Sequence, residues 1–301
     1  MPAHLLWIPV TIWAAFAQTV RNAAQRHLTA ELGTLGATLV RFLYGLPFAA
    51  LWLIAVLFFT GHTVPALSVA FFAWVLLGSV AQIVATALLL RTMQERNFTL
   101  GVAYSKTEVL QVAILGLVLI SDPLTARSAI AVALGTLGVL LLSPADPARP
   151  LRALLTGWTS RTALLGLASG SAFALSAVAY RAAALALDTS FLVSAACTLM
   201  AAQILQTVLL GGWLLARSRA TVTKVLNAWR ISLFAGFMGA AASAGWFTAF
   251  ALEPAAHVRT LGLVELIFSY LVSRRIFKER LARRELAGIG LLAAGIVVIT
   301  L

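Results

Sequence analysis

Cysteine and charged residues are both scarce in this chain. Its 301 residues include one cysteine, Cys197, and only 11% are charged. A lone cysteine excludes an intrachain disulfide and a cysteine-ligated metal site. The four histidines do not have the spacing of metal ligands. The sequence therefore predicts no metal site and no cofactor, and Cys197, inside an apolar run, is interpreted as a packing residue.

Enzyme signatures are also missing. The sequence contains no G-x-S-x-G, H-E-x-x-H or P-loop motif. It has no nucleotide-binding domain that could couple ATP hydrolysis to other work, and no Ser/His or Asp pair stands out at membrane depth. No catalytic residue is assigned, and the chain is predicted not to be an enzyme.

Apolar residues, in contrast, dominate the chain. Hydrophobic residues make up 61%, and the mean hydropathy is +0.97. Long apolar runs recur throughout, which indicates that most of the chain is in contact with lipid. The net charge of +12 would suggest a nucleic-acid partner in a soluble protein. Because the basic residues occupy short connections between apolar runs, we expect a lipid bilayer as partner and no nucleic acid.

The apolar runs predict an all-α integral membrane protein with ten transmembrane helices, each close to the length that a bilayer requires. A first repeat covers residues 1–142, a proline-containing linker 143–161, and a second repeat 162–301. The stretch Ala216–Arg230 is interpreted as a short interfacial helix or an ordered polar loop. The predicted spans are Ala3–Val20, Leu35–Phe59, Ala70–Leu90, Phe98–Ile120, Ala129–Leu142, Thr162–Leu185, Phe191–Leu215, Ile231–Leu252, His257–Ser273 and Leu286–Leu301.

Matching residues recur at an offset of about 157 positions along the chain. Glu108 corresponds to Glu265, and Asp122 corresponds to Glu279. The common order of these pairs indicates a duplication. Since each half has an odd number of spans, the two halves are predicted to be inverted relative to each other in the membrane. Inverted repeats of this kind are typical of alternating-access transporters.

The distribution of basic residues predicts the orientation. Seventeen of them, Arg21 included, fall in connections after odd-numbered spans, whereas only Arg127, Arg181 and Arg259 fall on the opposite side. The positive-inside rule then places the odd connections in the cytoplasm and both termini outside. The first apolar run is expected to be a retained span. We expect a multi-pass protein of the bacterial inner membrane with periplasmic termini.

The fourth predicted span carries two charges inside the apolar stretch 101–125. A charge near the bilayer centre costs at least about 2.5–3.5 kcal/mol, so Lys106 and Glu108 need a partner, water or a substrate. Tyr104, Glu108 and Gln111 share one helical face. Lys106 should point about 200° away from Glu108 on a continuous helix, and therefore should not pair with it.

Glu265 is the counterpart of this site in the second repeat. On a continuous helix it shares a face with His257, Leu261 and Ser269. Intramembrane ionisable groups are often functional, which makes Glu108, Lys106 and Glu265 candidate substrate ligands. The alternative is a set of structural charges satisfied by neighbouring helices.

Further candidates lie on other spans. Arg41 could bind an anionic group, although its shallow position favours an interpretation in which it snorkels to the interface. Gln82 could be a ligand or an interhelical hydrogen-bonding group. Trp246 could line a cavity, because the small residues before it allow other helices to approach.

The end of each half resembles a motif of the drug/metabolite transporter superfamily, in its ten-span EamA-type branch. In that family a span is followed by Gly-Glu-Arg-Leu or a similar sequence and then by a glycine-rich final span. In the second half Glu279, Arg280 and Leu281 match this pattern, and in the first half Asp122 and Leu124 do so. The resemblance implies a transporter. Some family members export amino acids, including aromatic ones, and others move nucleotide sugars, sugar phosphates, choline or cationic drugs.

We therefore expect export of a small polar metabolite, most of all an amino acid, including an aromatic one. Lys106 would bind the carboxylate, Glu108 or Glu265 the ammonium group, and Tyr104 and Trp246 the side chain. A duplicated chain can enclose a cavity alone, so a monomer is expected to suffice. Two alternatives stay open: proton-coupled efflux of cationic or amphipathic compounds, and a non-transport scaffold or scramblase.

Overall fold

The computed structural model describes residues 5–95, 105–106, 108–142, 161–275 and 283–300, and these residues form helices and short connections without a strand. The candidate residue Tyr104, the motif residue Glu279 and the linker 143–160 lie outside the described residues. The helices are α1 (Trp7–Leu43), α2 (Leu46–Thr60), α3 (Val69–Glu95), α4 (Glu108–Ile120), α5 (Ala126–Leu142), α6 (Arg161–Leu185), α7 (Phe191–Arg217), α8 (Arg219–Asn227), α9 (Trp229–Leu252), α10 (Ala255–Leu261), α11 (Val264–Arg275) and α12 (Arg283–Thr300).

Six helical stretches within the described residues are long and apolar enough to cross a membrane. They fit a multi-pass helical membrane protein. Glu108–Ile120 and Ala126–Gly138 are shorter apolar helices. The six stretches are Trp7–Thr60, Val69–Gln94, Leu164–Leu185, Phe191–Arg217, Trp229–Leu252 and Ala255–Val272.

Large apolar side chains cover much of the outer surface. Phe58, Phe59 and Val69 are 79%, 84% and 87% exposed. In water such a surface would drive aggregation, whereas in a bilayer it contacts acyl chains at no cost. Polar and charged side chains are instead buried in the interior, and this position makes them candidates for function.

The first helix is interrupted at one glycine. Gly33 has φ 69° and ψ 173°, which a residue with a Cβ rarely adopts, so the chain changes direction there within α1. The sequence predicted a span ending at Val20, with Arg21 in a connection. The helix instead continues to Leu32, and Arg21 is fully buried, so its placement in a connection was wrong. A hydropathy profile scores a polar residue as solvent-exposed even where neighbouring helices enclose it.

The fourth predicted span is also interrupted. The helix α4 begins at Glu108, and the Val109 N–H donates to the Lys106 carbonyl at 3.3 Å, an i to i−3 bond outside the regular helix. Glu108 therefore lies in the first turn of α4 and not ten residues into a continuous helix. The predicted face shared with Gln111 holds only from Glu108 onward.

The ninth predicted span is broken at the equivalent place. The helix α10 ends at Leu261, and α11 begins at Val264. Gly262 lies at the break, where a Cβ would come within 2.6 Å of the Trp246 ring. Glu265 is therefore a first-turn residue of α11, and the predicted continuous face with His257 was wrong.

The stretch after α7 is helical. Helix α8 spans nine residues, Arg219–Asn227, and buries Val225, and Trp229 is half-exposed at the start of α9. Of the two interpretations of Ala216–Arg230, a short helix is thus confirmed and a polar loop is wrong.

The most extensive helix contacts join residues 1–142 to residues 162–301. They are those of α3 with α6, α1 with α9, and α5 with α12. Small residues allow this close approach: a Cβ on Gly245 would lie 2.8 Å from the Ala14 Cβ, and Ser169 donates a hydrogen bond to the Ala85 carbonyl at 2.8 Å. Charged side chains from both regions are buried along this contact.

Candidate functional site

Lys106 lies between two buried carboxylates. Its Nζ is 3.4 Å from Glu108 Oε1 and 2.5 Å from Glu265 Oε2. All three residues are at most 5% exposed. The prediction that Lys106 faces away from Glu108 was wrong, because Lys106 lies in a turn before α4 begins. One ammonium group therefore joins the acidic residues of the two proposed repeats.

Amides from α1 orient the carboxylate of Glu265. Gln18 Nε2 donates to Oε2 at 2.6 Å, and Asn22 Nδ2 donates to Oε1 at 3.0 Å. Trp246 Nε1 donates to Gln18 Oε1 at 2.9 Å, which sets the direction of that amide. Glu265 is fully buried, and each of its two oxygens accepts a hydrogen bond.

Glu108 is paired less completely. Its Oε1 lies 3.4 Å from Arg259 Nη1, at the long end of an ion pair, and its buried Oε2 has no partner. The Arg259 guanidinium stacks 4.5 Å from the Trp246 ring centroid and 5.2 Å from that of Phe250. Cation–π contact thus holds Arg259 against α9, and the buried Nε of Arg259 has no hydrogen-bond partner.

Two more arginines lie beside these groups. Arg21 Nη2 donates to Asn22 Oδ1 at 2.7 Å, and Arg41 Nη1 donates to Thr86 Oγ1 at 2.9 Å. A Cβ on Gly239 would lie 3.3 Å from Arg21 Cδ and 3.4 Å from Arg41 Cγ, so this glycine makes room for both. Arg41 is 2% exposed, and the interpretation that it snorkels to the interface was wrong.

We call these residues the central cluster. Its residues are at most 5% exposed. Four of them are cationic and two are anionic when all are ionised, which gives 4 − 2 = +2. Its members are Gln18, Arg21, Asn22, Arg41, Lys106, Glu108, Trp246, Arg259 and Glu265.

Two other candidates lie elsewhere. Gln82 Oε1 accepts from Gln206 Nε2 at 2.6 Å and from the Tyr180 hydroxyl at 3.3 Å. These bonds connect α3, α6 and α7, which supports the interhelical alternative for Gln82. Gln111 is half-buried on α4, one turn beyond Glu108.

Sequence reasoning missed Arg21 and Arg259 as site residues. Both were counted as loop charges in the orientation argument, as was Arg181, which is also buried. A signal was present for Arg21, because Gln18 lies three positions before it, on the same helical face. For Arg259 the position six residues before Glu265 was the only hint.

A second buried ion pair joins the regions at another place. Arg181 Nε lies 2.8 Å and 2.7 Å from the two Asp122 oxygens, and its Nη1 donates to the carbonyls of Phe250 and Glu253. Asp122 follows α4, and Arg181 lies near the end of α6. The pair therefore ties the α4–α5 connection to the ends of α6 and α9.

A hydrogen-bonded chain adjoins this pair. His257 Nδ1 bonds Glu253 Oε1 at 2.7 Å, and its Nε2 bonds Ser128 Oγ. The order is that of a serine–histidine–acid triad. However, Ser128 is 1% exposed and its hydroxyl also bonds Thr125, so a substrate carbonyl has no access to it in this conformation. These hydrogen bonds connect α5 to α10.

A cavity of about 610 Å³ opens between α1, α2, α7 and α9. Its walls are apolar, with Trp13, Leu51 and Trp52 among them, and Trp13 is half-exposed. No member of the central cluster lines it. We place the candidate site at the central cluster, because buried ionised groups cost free energy that apolar walls do not.

Comparison with known proteins identifies a fold. No protein-family model matches the chain, and no curated protein matches it. A solved crystal structure of a protein superposes with a TM-score of 0.65 at 14% sequence identity, covering 97% of this chain and 94% of the other. At this identity the likeness shows a shared fold along nearly the whole chain.

Proposed function

We propose that this chain is a membrane transporter that moves a small polar metabolite, with amino acids as the leading class, by alternating access. The carrying observation is the central cluster, in which Lys106, Glu108 and Glu265 meet between the two regions of the chain. Intramembrane ionisable groups commonly mark substrate and ion pathways. Because these side chains are buried, a substrate can reach them only if the two regions move apart.

Broken helices support this proposal. Glu108 and Glu265 each lie in the first turn of a helix that begins after an interruption. A helix N-terminus stabilises a carboxylate and leaves backbone N–H groups available. Discontinuous helices near mid-membrane are the usual binding elements of secondary transporters.

The pattern of helix contacts supports two inverted five-helix repeats within ten spans. If α1 corresponds to α6 and α3 to α9, the contact of α1 with α9 becomes that of α6 with α3, and both are extensive. The contact of α5 with α12 maps onto itself. The same exchange pairs Glu108 with Glu265 across a pseudo-twofold axis.

The sequence supports the proposed location, orientation and monomeric state. The basic connections favour a bacterial inner-membrane location with both termini outside. One duplicated chain provides both walls of the central cluster, so a monomer suffices. The excess of buried cationic side chains disfavours efflux of cationic compounds, because the positive charge of such a compound would be repelled at this site.

Purified protein in liposomes tests the proposal. Vesicles loaded with a mixture of unlabelled amino acids should accumulate a labelled member of the transported class by exchange. Glu265→Gln should abolish this uptake, whereas Glu31→Gln, at an exposed position on α1, should leave it unchanged. Equal uptake by vesicles without the protein would instead indicate a scaffold. Lipid scrambling that persists in Glu265→Gln would indicate a scramblase.

A further inference from the structure

We infer that the substrate carries two carboxylates, as in a dicarboxylic acid or an acidic amino acid, and that Arg21 and Arg259 bind them. The inference rests on the proposed transport function and specifies the substrate of the same site. It moves the carboxylate ligand from Lys106, which the sequence favoured, to these two arginines.

Lys106 is already neutralised. Its ammonium group lies within 3.4 Å of Glu108 and 2.5 Å of Glu265. A substrate carboxylate approaching Lys106 would meet two like charges first, and the repulsion would offset the attraction. The cation that binds substrate must be one that keeps buried N–H groups without a partner.

Arg21 meets this condition. It is 0% exposed, its Nη2 donates to Asn22, and its buried Nε and Nη1 have no hydrogen-bond partner. A buried donor left unpaired costs about 1–3 kcal/mol, and more when it is charged. In a guanidinium, Nε lies beside Nη2 and Nη1 lies beside Nη2 at the end of the group, so a carboxylate can accept a hydrogen bond from either of the unpaired nitrogens.

Arg259 offers a second such group. Its buried Nε has no partner, and only its Nη1 reaches Glu108, at 3.4 Å. Stacking on Trp246 and Phe250 fixes the guanidinium plane. Its position is therefore set before a ligand arrives, which reduces the entropy lost on binding.

The charge balance gives the same result. The central cluster holds Arg21, Arg41, Lys106 and Arg259 against Glu108 and Glu265, which gives a net charge of +2 when all six are ionised. A zwitterion would leave this excess unchanged. A dicarboxylic acid, with two negative charges, would compensate it fully, since buried charges are normally paired. An acidic amino acid, whose ammonium group offsets one carboxylate, would compensate half of it.

Glu108 separates two kinds of dicarboxylate. Its Oε2 is buried without a partner and can accept a hydrogen bond from an ammonium group. An acidic amino acid would use this oxygen as well as the two arginines, whereas a simple dicarboxylic acid would use the arginines alone. The comparison of L-glutamate with succinate therefore tests the role of Glu108.

The experiment compares four labelled compounds in exchange assays with protein-containing liposomes: L-glutamate, succinate, L-glutamine and L-phenylalanine. We expect L-glutamate or succinate to exchange at least about tenfold faster than L-glutamine, which differs from L-glutamate by one charge. Arg21→Gln should reduce the exchange about 10–100-fold. Arg217→Gln, at an exposed end of α7, is the matched control.

Folding of Arg21→Gln is checked by its melting temperature and size-exclusion profile. Arg259→Lys keeps the charge but removes the fork and should weaken dicarboxylate exchange where the fold is intact. Exchange of L-glutamine or L-phenylalanine without the acids would overturn this inference and leave the transport function standing. If none of the four compounds exchanged, and a wider metabolite panel did not either, the transport function itself would fail.

Discussion

Glu265 holds the central cluster together at the scale of single residues. Its carboxylate accepts hydrogen bonds from Gln18 and Asn22 and forms an ion pair with Lys106. These three partners come from two separate parts of the chain, α1 and the segment before α4. Loss of the negative charge would therefore weaken contacts with both parts of the chain.

Glu265→Gln should lower the free energy of unfolding by about 3–5 kcal/mol. The reason is that Lys106 stays buried with Glu108, at 3.4 Å, as its remaining carboxylate partner. Adding Lys106→Met should restore much of this stability. The double-mutant cycle is measured as melting temperatures in detergent. Strictly additive effects would contradict a direct pair.

Trp246→Phe tests the link between Trp246 and Gln18. The substitution removes the Nε1 hydrogen bond, 2.9 Å long, and keeps an aromatic face under Arg259. We expect a loss of about 1 kcal/mol in stability and a further loss of transport, since Gln18 is no longer oriented toward Glu265. Trp246→Leu also removes the cation–π contact, so it should lower both stability and transport more than Trp246→Phe does. Equal effects of the two substitutions would show that Arg259 does not depend on the ring.

Helix α9 depends on glycine at the scale of elements. A Cβ on Gly236 would lie 2.4 Å from the backbone carbon of Tyr44, and backbone cannot move aside as a flexible side chain can. Gly236→Ala should therefore destabilise the fold by about 1–3 kcal/mol or prevent folding. Gly212 on α7 has open space around it, so Gly212→Ala should be neutral or slightly stabilising. Melting temperatures of the two variants compare one substitution in two environments.

The pair of Asp122 and Arg181 fastens one side of the contact between the two regions. Asp122→Asn removes the charge and keeps the shape, leaving Arg181 with the carbonyls of Phe250 and Glu253. We expect a lower melting temperature and, in the proposed transporter, easier opening on this side. The opening is measured in a Cys197→Ser background that carries Ser128→Cys, where Asp122→Asn should speed the reaction of position 128 with a maleimide. Unchanged labelling with Asp122→Asn would show that the pair does not restrain the connection.

The topology is testable at the scale of the whole molecule. Cys197 is the only cysteine, so Cys197→Ser gives a background for single labels. Thr63 and Thr223 are exposed and lie in connections separated by five proposed spans. In intact cells an impermeant maleimide should label Thr63→Cys, and should label Thr223→Cys only after permeabilisation. Labelling of both from the same side would contradict five crossings between them, and the reverse pattern would invert the orientation.

The sequence by itself determined the class of protein and its candidate carboxylates. Lipid as solvent follows from composition, because a chain that is 61% hydrophobic must place most of its surface in an apolar phase. Glu108 and Glu265 were identifiable because an ionised group inside an apolar run is conspicuous in one dimension. The offset between them is likewise a property of the sequence alone.

Only the tertiary structure decided which charges meet. Lys106 reaches Glu108 and Glu265 because it lies in a turn before α4 begins, and spacing on an ideal helix could not predict this. Arg21 and Arg259 resembled loop charges, since burial by neighbouring helices is a long-range property that no local hydropathy window contains. The physical reason is that a charge becomes part of a site through partners distant in the sequence. Folding brings those partners together.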